Sequence, residues 1–358
     1  MFALDPGYGY HKAVSAKTDL SVEPGDTENP DVLKRTAPVL FPSVIAPASK
    51  GYGKAVGHTI TLRRPGEINP YARLFFGQRA INEARAVQMS LSSHKFIEES
   101  SRVLALGAAY LAGVEGQVDM CIGIPIALYR NDGIRREVEK TFREIGCYVS
   151  VDDGRERYIS FQSAHALPQG VGVVYSMAGL PKDGLVGVVC IGFHTTELVL
   201  FEVRDQRIGE IYTNYFKSVP LGVSRAVRLL ADALTSRTGE SLTLPAAMSI
   251  WSKQAFSFRR VEIDVLPLIA DFRRSVAAAV CQAVDEAWIE VVNRIDHLYF
   301  AGGGAIEFGA LLKELEPGSQ IVPRPQMAQA IGFYKMLDMI LAEERSSRLG
   351  MVSSGGGR

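Results

Sequence analysis

The sequence has no excess of either charge, and it has few cysteines. Lys plus Arg and Asp plus Glu number 39 each in 358 residues, so no global electrostatic field directs the chain to nucleic acid or to a membrane surface. The cysteines have no Cys-x-x-Cys spacing, which favours reduced thiols in a cytoplasm. The four cysteines are Cys121, Cys147, Cys190 and Cys281.

Long apolar runs and several catalytic motifs are also missing. No stretch approaches the roughly 20 apolar residues that span a bilayer, and Asp5 interrupts the only N-terminal apolar run, so we expect no signal peptide. The chain has no Walker phosphate loop, no G-x-G-x-x-G after a strand and no G-x-S-x-G elbow. The six histidines have no metal-ligand spacing. The length itself predicts two domains.

The first positive feature is a hairpin at the start of the chain. An apolar strand ends at Asp5, a turn containing Gly7 and Gly9 follows, and Lys12 opens the return strand. The glycines allow the backbone to fold its N–H groups around an oxyanion, and Lys12 adds a point charge. Asp5 could hold a hydrated divalent cation. Alone, this pattern also fits a tight hairpin with an exposed Asp and Lys.

Two later segments also combine a predicted strand with a glycine turn. Residues 186–200 again predict strand, glycine turn and strand, and residues 298–305 predict a strand that ends in three glycines. Two β-hairpins and a triple-glycine turn, in this order, resemble the actin-like ATPase superfamily. More closely, the chain resembles plasmid-segregation actins of the ParM/StbA type and archaeal actin-like proteins. The resemblance extends from Ala3 to about Leu341.

The resemblance implies a two-domain α/β architecture, the ribonuclease H-like actin fold, with mixed sheets and an interdomain nucleotide cleft. It assigns residues 1–165 to domain I, with an outer subdomain at about 28–80, and residues 166–325 to domain II. Residues 326–344 would form a C-terminal helix that returns to domain I. A disordered tail is expected over residues 345–358, because its end is rich in Ser and Gly and has little to bury.

The resemblance also implies a site for ATP or ADP with Mg²⁺. Asp5 would position the hydrated metal through water and so take part in catalysis. The two hairpin turns would grip phosphate from opposite sides, Gly222 would lie near the sugar, and the triple glycine would face the adenosine. The residues implied to contact nucleotide are Gly7, Tyr8, Gly9, Lys12, Gly192, Phe193, His194, Thr195, Thr196, Gly222, Gly302, Gly303 and Gly304.

Gln169 stands in a Pro-Gln-Gly-Val-Gly run at the expected junction of the domains. Pro168 suits the first turn of a helix, so we predict a helix from there to about Ala178. The resemblance gives Gln169 the catalytic role of orienting the attacking water. A neutral amide can hold water as donor and acceptor, but it is a poor general base. Without the flanking motifs, the same residue fits an exposed Gln at a helix start.

Cys190 departs from the family pattern, because relatives place an Asp there. Mg²⁺ prefers oxygen ligands, so the departure leaves metal placement and hydrolysis open and predicts a slow ATPase. The expected function is ATP-dependent filament formation of the DNA-segregation type. The expected partners are further copies of the chain, head to tail, and a DNA-bound adaptor, without direct contact to nucleic acid or membrane.

Three alternatives remain at this point. A chaperone-like factor would share the cleft without polymerising, and a degenerate nucleotide-binding scaffold fits Cys190 best. A sugar or carboxylate kinase would need a carboxylate base facing a second substrate pocket, and the sequence identifies none.

Overall fold

The chain is described from a computed structural model, which covers residues 1–24, 36–48, 57–83 and 86–354. Within the predicted outer subdomain, residues 28–35 and 49–56 lie outside these described residues, and so do the last four residues of the predicted tail. In the described ranges, no helix is both long and apolar enough to cross a membrane.

The first half of the chain forms a nine-stranded mixed sheet. Its strands are β1 (Phe2–Pro6), β2 (Tyr10–Ser15), β3 (Val39–Pro42), β4 (Ile45–Pro47), β5 (His58–Arg63), β6 (Ala72–Phe76), β7 (Gly116–Ile124), β8 (Gly146–Val151) and β9 (Arg157–Pro168). Their order is β3-β2-β1-β7-β9-β8-β5-β6-β4. β1 pairs antiparallel with β2 and parallel with β7, and β7 pairs parallel with β9. Asp5 and Gln169 therefore lie at one edge of the sheet, because parallel strands end together.

The second half forms a six-stranded mixed sheet and a separate small hairpin. The strands are β10 (Gly184–Ile191), β11 (Thr196–Arg204), β12 (Arg207–Ile211), β13 (Lys217–Val219), β14 (Phe256–Phe258), β15 (Val261–Ile263), β16 (His297–Ala301) and β17 (Gln320–Ile321). The sheet order is β12-β11-β10-β16-β17, with β13 beside β11, while β14 pairs with β15. β10 pairs antiparallel with β11 and parallel with β16, which brings Cys190 beside the triple-glycine turn.

Helices cover both sheets and give each its own apolar core. They are α1 (Gln78–Glu83), α2 (Glu99–Leu111), α3 (Ile126–Tyr129), α4 (Asp132–Arg143), α5 (Val171–Ser176), α6 (Val223–Thr238), α7 (Leu244–Lys253), α8 (Leu266–Ala287), α9 (Gly303–Glu307), α10 (Gly309–Leu315) and α11 (Ala328–Ser354), with 3₁₀ turns at Lys95–Ile97, Thr213–Tyr215 and Val292–Arg294. α2 packs on the first sheet, and α6 and α8 pack on each other within the second core.

The last helix connects the two halves. α11 packs against α5 and against β1 and β7. The approach is close because small residues meet: a Cβ on Gly332 would overlap the carbonyl of Gly172, and one on Gly123 would overlap the Phe333 ring. This packing carries Gln329, near the start of α11, into the region between the sheets.

Two local predictions differ from the structure. Pro168 is the last residue of β9, and the helix that follows covers only Val171–Ser176. The pairing of Pro168 with Ile124 extends the parallel ladder through the position where a helix start was expected. The tail expected to be disordered from Arg345 instead continues α11 to Ser354. At its start, the Arg345 and Ser346 side chains donate to the carbonyls of Leu341 and Ala342.

Candidate functional site

A cavity of about 380 Å³ lies between the two sheets, at the edge where β1, β9, β10 and β16 end. We call residues 7–9 the first turn and residues 192–195 the second turn. Both turns, the triple glycine and the start of α11 line the cavity. Of the residues assigned to nucleotide, metal or catalysis from sequence, the cavity is lined by Asp5, Gly7, Tyr8, Gly9, Lys12, Gln169, Gly192, Phe193, His194, Thr195, Gly302, Gly303 and Gly304.

Thr196 and Gly222 lie behind the cavity wall. Thr196 is buried, and its hydroxyl donates to the carbonyl of Leu221 at 2.7 Å. A Cβ on Gly222 would lie 2.6 Å from the carbonyl oxygen of Gly192 and 2.8 Å from that of Phe193. Both residues therefore support the second turn from behind and do not face the cavity.

Asp5 lies at the end of β1, and three side chains hold its carboxylate. Its Oδ2 accepts a hydrogen bond from Lys12 Nζ at 2.9 Å. Its Oδ1 accepts from Gln169 Nε2 at 2.9 Å and from Gln329 Nε2 at 3.4 Å. Asp5 is 2 % exposed, so these charge-assisted bonds fix the orientation of a buried carboxylate.

Gln169 occupies the turn between β9 and α5. Its backbone N–H donates to the carbonyl of Ile124 at 2.8 Å, and its side chain is buried. The next residue, Gly170, has φ +87°, a left-handed conformation that favours glycine, and its N–H donates to Gln329 Oε1. Because the amide nitrogen of Gln169 bonds Asp5, its Oε1 remains available to accept from water in the cavity.

The first and second turns meet across the cavity. A Cβ on Gly9 would lie 2.8 Å from Phe193 Cβ, and the rings of Tyr8 and His194 are 4.9 Å apart at 64°. Outside the strand ladders, the N–H groups of Gly7 and Tyr8 have no acceptor among the described residues. Backbone N–H groups at a glycine turn beside a lysine form an anion site.

Cys190 lines the cavity as a neutral thiol. Burial, together with the nearby carboxylate of Asp5, raises its pKa to about 12, and its Sγ lies 3.9 Å from Gln329 Oε1. A protonated sulfur does not fit Mg²⁺, whereas the oxygens of Asp5 and Gln169 do. Within the described part of the chain, no three His, Cys, Asp or Glu side chains form a metal cluster. The site thus fits only an ion that takes its other ligands from nucleotide and water.

Glu197 is a cavity residue that the sequence analysis missed. It lies on β11 opposite Cys190 and is 2 % exposed. Its Oε2 accepts from the Ile126 N–H at 3.0 Å, and its Oε1 accepts from the Ser218 hydroxyl at 2.9 Å. Burial raises its pKa to about 7 despite these bonds. A lone Glu within an apolar strand was the available signal in the sequence.

The far end of the cavity is formed by helices of the second half. Glu307 Oε2 accepts from Trp251 Nε1 and from Arg273 Nη2, each at 3.0 Å. The guanidinium of Arg273 also lies 5.2 Å from the centre of the Trp251 ring. The sequence analysis assigned none of these three residues, which lie in α7, α8 and α9, to the site.

The three glycines at 302–304 line the cavity, and two of them also allow close packing between α9 and β10. Gly302 has φ +83°, and a Cβ there would overlap the carbonyl of Ile191. A Cβ on Gly304 would overlap the Ile191 side chain, while one on Gly303 would meet nothing closer than 3.8 Å. Gly302 and Gly304 therefore bring α9 against β10, and Gly303 is the open position.

Two family models match the chain in sequence. "Actin like proteins N terminal domain" matches residues 3–172, and "Archaeal actin homologue MreB-like, C-terminal" matches residues 188–314. An archaeal actin homologue of Thermoplasma volcanium is 23% identical over 223 residues, which cover 60% of this chain and 67% of the homologue.

Solved structures agree with this match in fold. A 15-stranded ParM filament from Clostridium botulinum has a TM-score of 0.75 at 19% identity, covering 94% of this chain and 99% of that chain. An archaeal actin homologue in complex with ADP has a TM-score of 0.68 at 19% identity, covering 93% and 97%. The chain belongs to the actin-like superfamily, and the α/β fold with mixed sheets is confirmed. Within that superfamily it is similar to ParM proteins and archaeal actin homologues.

Proposed function

We propose that the chain binds ATP and ADP in the cavity between its sheets. The observation that carries the proposal is the pair of glycine turns that face each other from opposite sheets, with Lys12 and unpaired N–H groups on the first. A protein of the same fold has been solved with ADP, which supports this ligand class. Trp251 and Arg273 offer flat faces for a nucleobase at the far end.

The two halves act as domains that close on the nucleotide. We assign residues 1–165 and 166–325 to these domains and α11 to the connection between them. Phosphates bound by both turns favour the closed arrangement, which couples nucleotide state to domain closure. Gly222 and Thr196 contribute by supporting the second turn.

Hydrolysis of ATP depends on groups at the floor of the cavity. Mg²⁺ carried by the phosphates would be oriented by Asp5 through water, and it would neutralise charge on the phosphoryl group. Gln169 positions the attacking water through its Oε1. Glu197 is a carboxyl whose pKa of about 7 suits proton transfer near neutral pH, although Ile126 and Ser218 occupy its oxygens. A neutral Cys190 predicts slow turnover.

Filament formation is the proposed consequence of nucleotide binding. A ParM of the same fold is solved as a filament, and head-to-tail contacts between identical subunits generate open filaments. We further propose a role in DNA segregation through a DNA-bound adaptor protein. The second candidate is a non-polymerising nucleotide-binding scaffold, which the thiol at Cys190 favours.

Binding is tested by calorimetry with ATP and ADP. Lys12→Ala and Thr195→Ala should each weaken ATP binding by about tenfold or more, because each removes a donor to a charged phosphate. Lys17→Ala, an exposed lysine beyond the same strand, is the control and should bind as the wild type does. If both cavity variants bound ATP with wild-type affinity, the proposal that nucleotide binds in this cavity would be wrong.

Assembly is tested separately by light scattering and electron microscopy with ATP, ADP or no nucleotide. Filaments above a critical concentration with ATP would support the segregation-type function. Nucleotide binding without scattering, across salts and crowding agents, would support the scaffold.

A further inference from the structure

Lys95 is a buried lysine directly beneath the first turn. It is 2 % exposed, and its Nζ donates to the carbonyl of Pro6 at 2.9 Å and to that of Gly7 at 2.5 Å. The rings of Tyr8 and Phe96 lie 4.8 Å and 5.8 Å from the same nitrogen. Lys95 does not line the cavity, so it acts on any ligand only through the turn.

This position carries a cost in stability that an apolar residue would avoid. Burial and, less strongly, the charge of Lys12 lower the pKa of Lys95 to about 7, although Asp5 and Glu98 act in the opposite direction. Lys95 forms no salt bridge with any described residue. A methionine could occupy this aromatic environment without desolvating a charge. Packing alone therefore does not explain why a lysine occupies this buried position.

The orientation of the peptide groups in the first turn offers an explanation for a lysine at this position. In a trans peptide the N–H points opposite to the carbonyl. Because the carbonyls of Pro6 and Gly7 point toward Lys95, the N–H groups of Gly7 and Tyr8 point away from it, toward the cavity. The Ser43 hydroxyl also donates to the Gly7 carbonyl, at 2.6 Å, so the peptide is held from two directions.

We propose that Lys95 is a positioning residue for the phosphates of the bound nucleotide. It holds the two carbonyls behind the turn. Bound phosphate favours its protonated form, which places a positive charge beneath the N–H groups that face the phosphates. This inference rests on the proposed nucleotide binding and adds a second lysine to Lys12, one behind the turn and one in front.

The test compares ligands with and without phosphates. In Lys95→Met, we expect the affinity for ATP to fall at least about tenfold in calorimetry, while the affinity for adenosine stays within twofold. Lys95→Gln retains a donor for the carbonyls but not the charge, so its ATP affinity should fall between those of the wild type and Lys95→Met. Lys17→Met, with the same change in net charge at an exposed site, should leave both affinities within twofold.

The possible outcomes separate the positioning role of Lys95 from the nucleotide binding on which that role depends. An equal loss for ATP and adenosine would show that Lys95 only stabilises the fold, and an unchanged ATP affinity in Lys95→Met would show that it does nothing for phosphate; both overturn this inference alone. If Lys95→Met does not fold, the ATP-to-adenosine ratio of Lys95→Gln decides in the same way. A wild type that binds no nucleotide overturns the proposed function and this inference together.

Discussion

The two strand–turn–strand units that face each other across the cavity share a backbone plan but differ in charge. In each, the first strand pairs antiparallel with the second and parallel with a later strand, β7 or β16. Asp5 faces Lys12 near the end of the first ladder, and Cys190 faces Glu197 near the end of the second. The first pair is an ion pair, whereas the second is a thiol beside a carboxyl whose pKa is raised to about 7.

The difference shows that similar backbone arrangements can carry different side-chain chemistry. The first unit carries Lys12 beside its turn, and Lys95, from the separate 3₁₀ turn Lys95–Ile97, lies beneath that turn. The second unit uses its carboxyl to bridge the halves, because Glu197 on β11 accepts from the N–H of Ile126 at the start of α3. Phosphate affinity should therefore depend mainly on the first unit, and the contact between the halves on the second.

Breaking the first pair should have the largest effect on stability. Lys12→Met leaves the buried carboxylate of Asp5 with only the amides of Gln169 and Gln329, and we expect a loss of about 3 kcal/mol in the free energy of unfolding. Chemical denaturation without nucleotide measures it, with Lys17→Met as the control. Stability equal to the wild type would mean that the two amides alone suffice for Asp5.

The second pair, Cys190 and Glu197, should make the stability of the fold depend on pH. The folded chain binds the proton of Glu197 more tightly than the unfolded chain, since its pKa is raised from 4.5 to about 7. The stabilisation is present below about pH 4.5 and is lost as the pH rises through 7, up to about 3 kcal/mol. Glu197→Gln keeps an acceptor for the Ile126 N–H and can donate to the Ser218 hydroxyl, so it removes the titrating group while it keeps these two contacts. Parallel stability curves for both proteins between pH 5 and 8 would contradict the raised pKa.

The variant Cys190→Asp gives the second unit a carboxylate at the position where the first unit has Asp5. It tests whether the thiol at Cys190 limits the chemistry of the cavity. Cys190→Asp places a carboxylate near those of Asp5 and Glu197, so the unliganded variant should lose about 2 kcal/mol. If the cavity can use a second oxygen donor, turnover should rise and depend more steeply on Mg²⁺. Cys190→Ser controls for the change in size without charge. A destabilised variant with unchanged turnover would show that this site has no use for a second carboxylate.

The smallest expected effect belongs to the residue between the units. Gln169→Ala should slow hydrolysis roughly tenfold and leave ATP affinity within a few-fold, because positioning water acts on the transition state. Single-turnover hydrolysis and calorimetry separate the two. Equal turnover would remove Gln169 from the mechanism.

Several features of the site were predictable because they depend on residues close in the chain. Glycines between two apolar strands predict a tight hairpin, and this local pattern indicated both the turn after Asp5 and the turn after Cys190. Other features were not predictable, because their partners are distant. Pro168 ends a strand only because β7 is present to pair with it, and Gln329 reaches Asp5 only through the packing of α11.

The sequence by itself determined the α/β class and the three glycine turns, since turn geometry is a local property. Only the tertiary structure decided that Lys95 lies beneath the first turn and that Glu197 joins the two halves. A lysine or glutamate has no local signature of burial. Its environment, and hence its charge and its role, is set by segments that meet it only when the two sheets and α11 pack together.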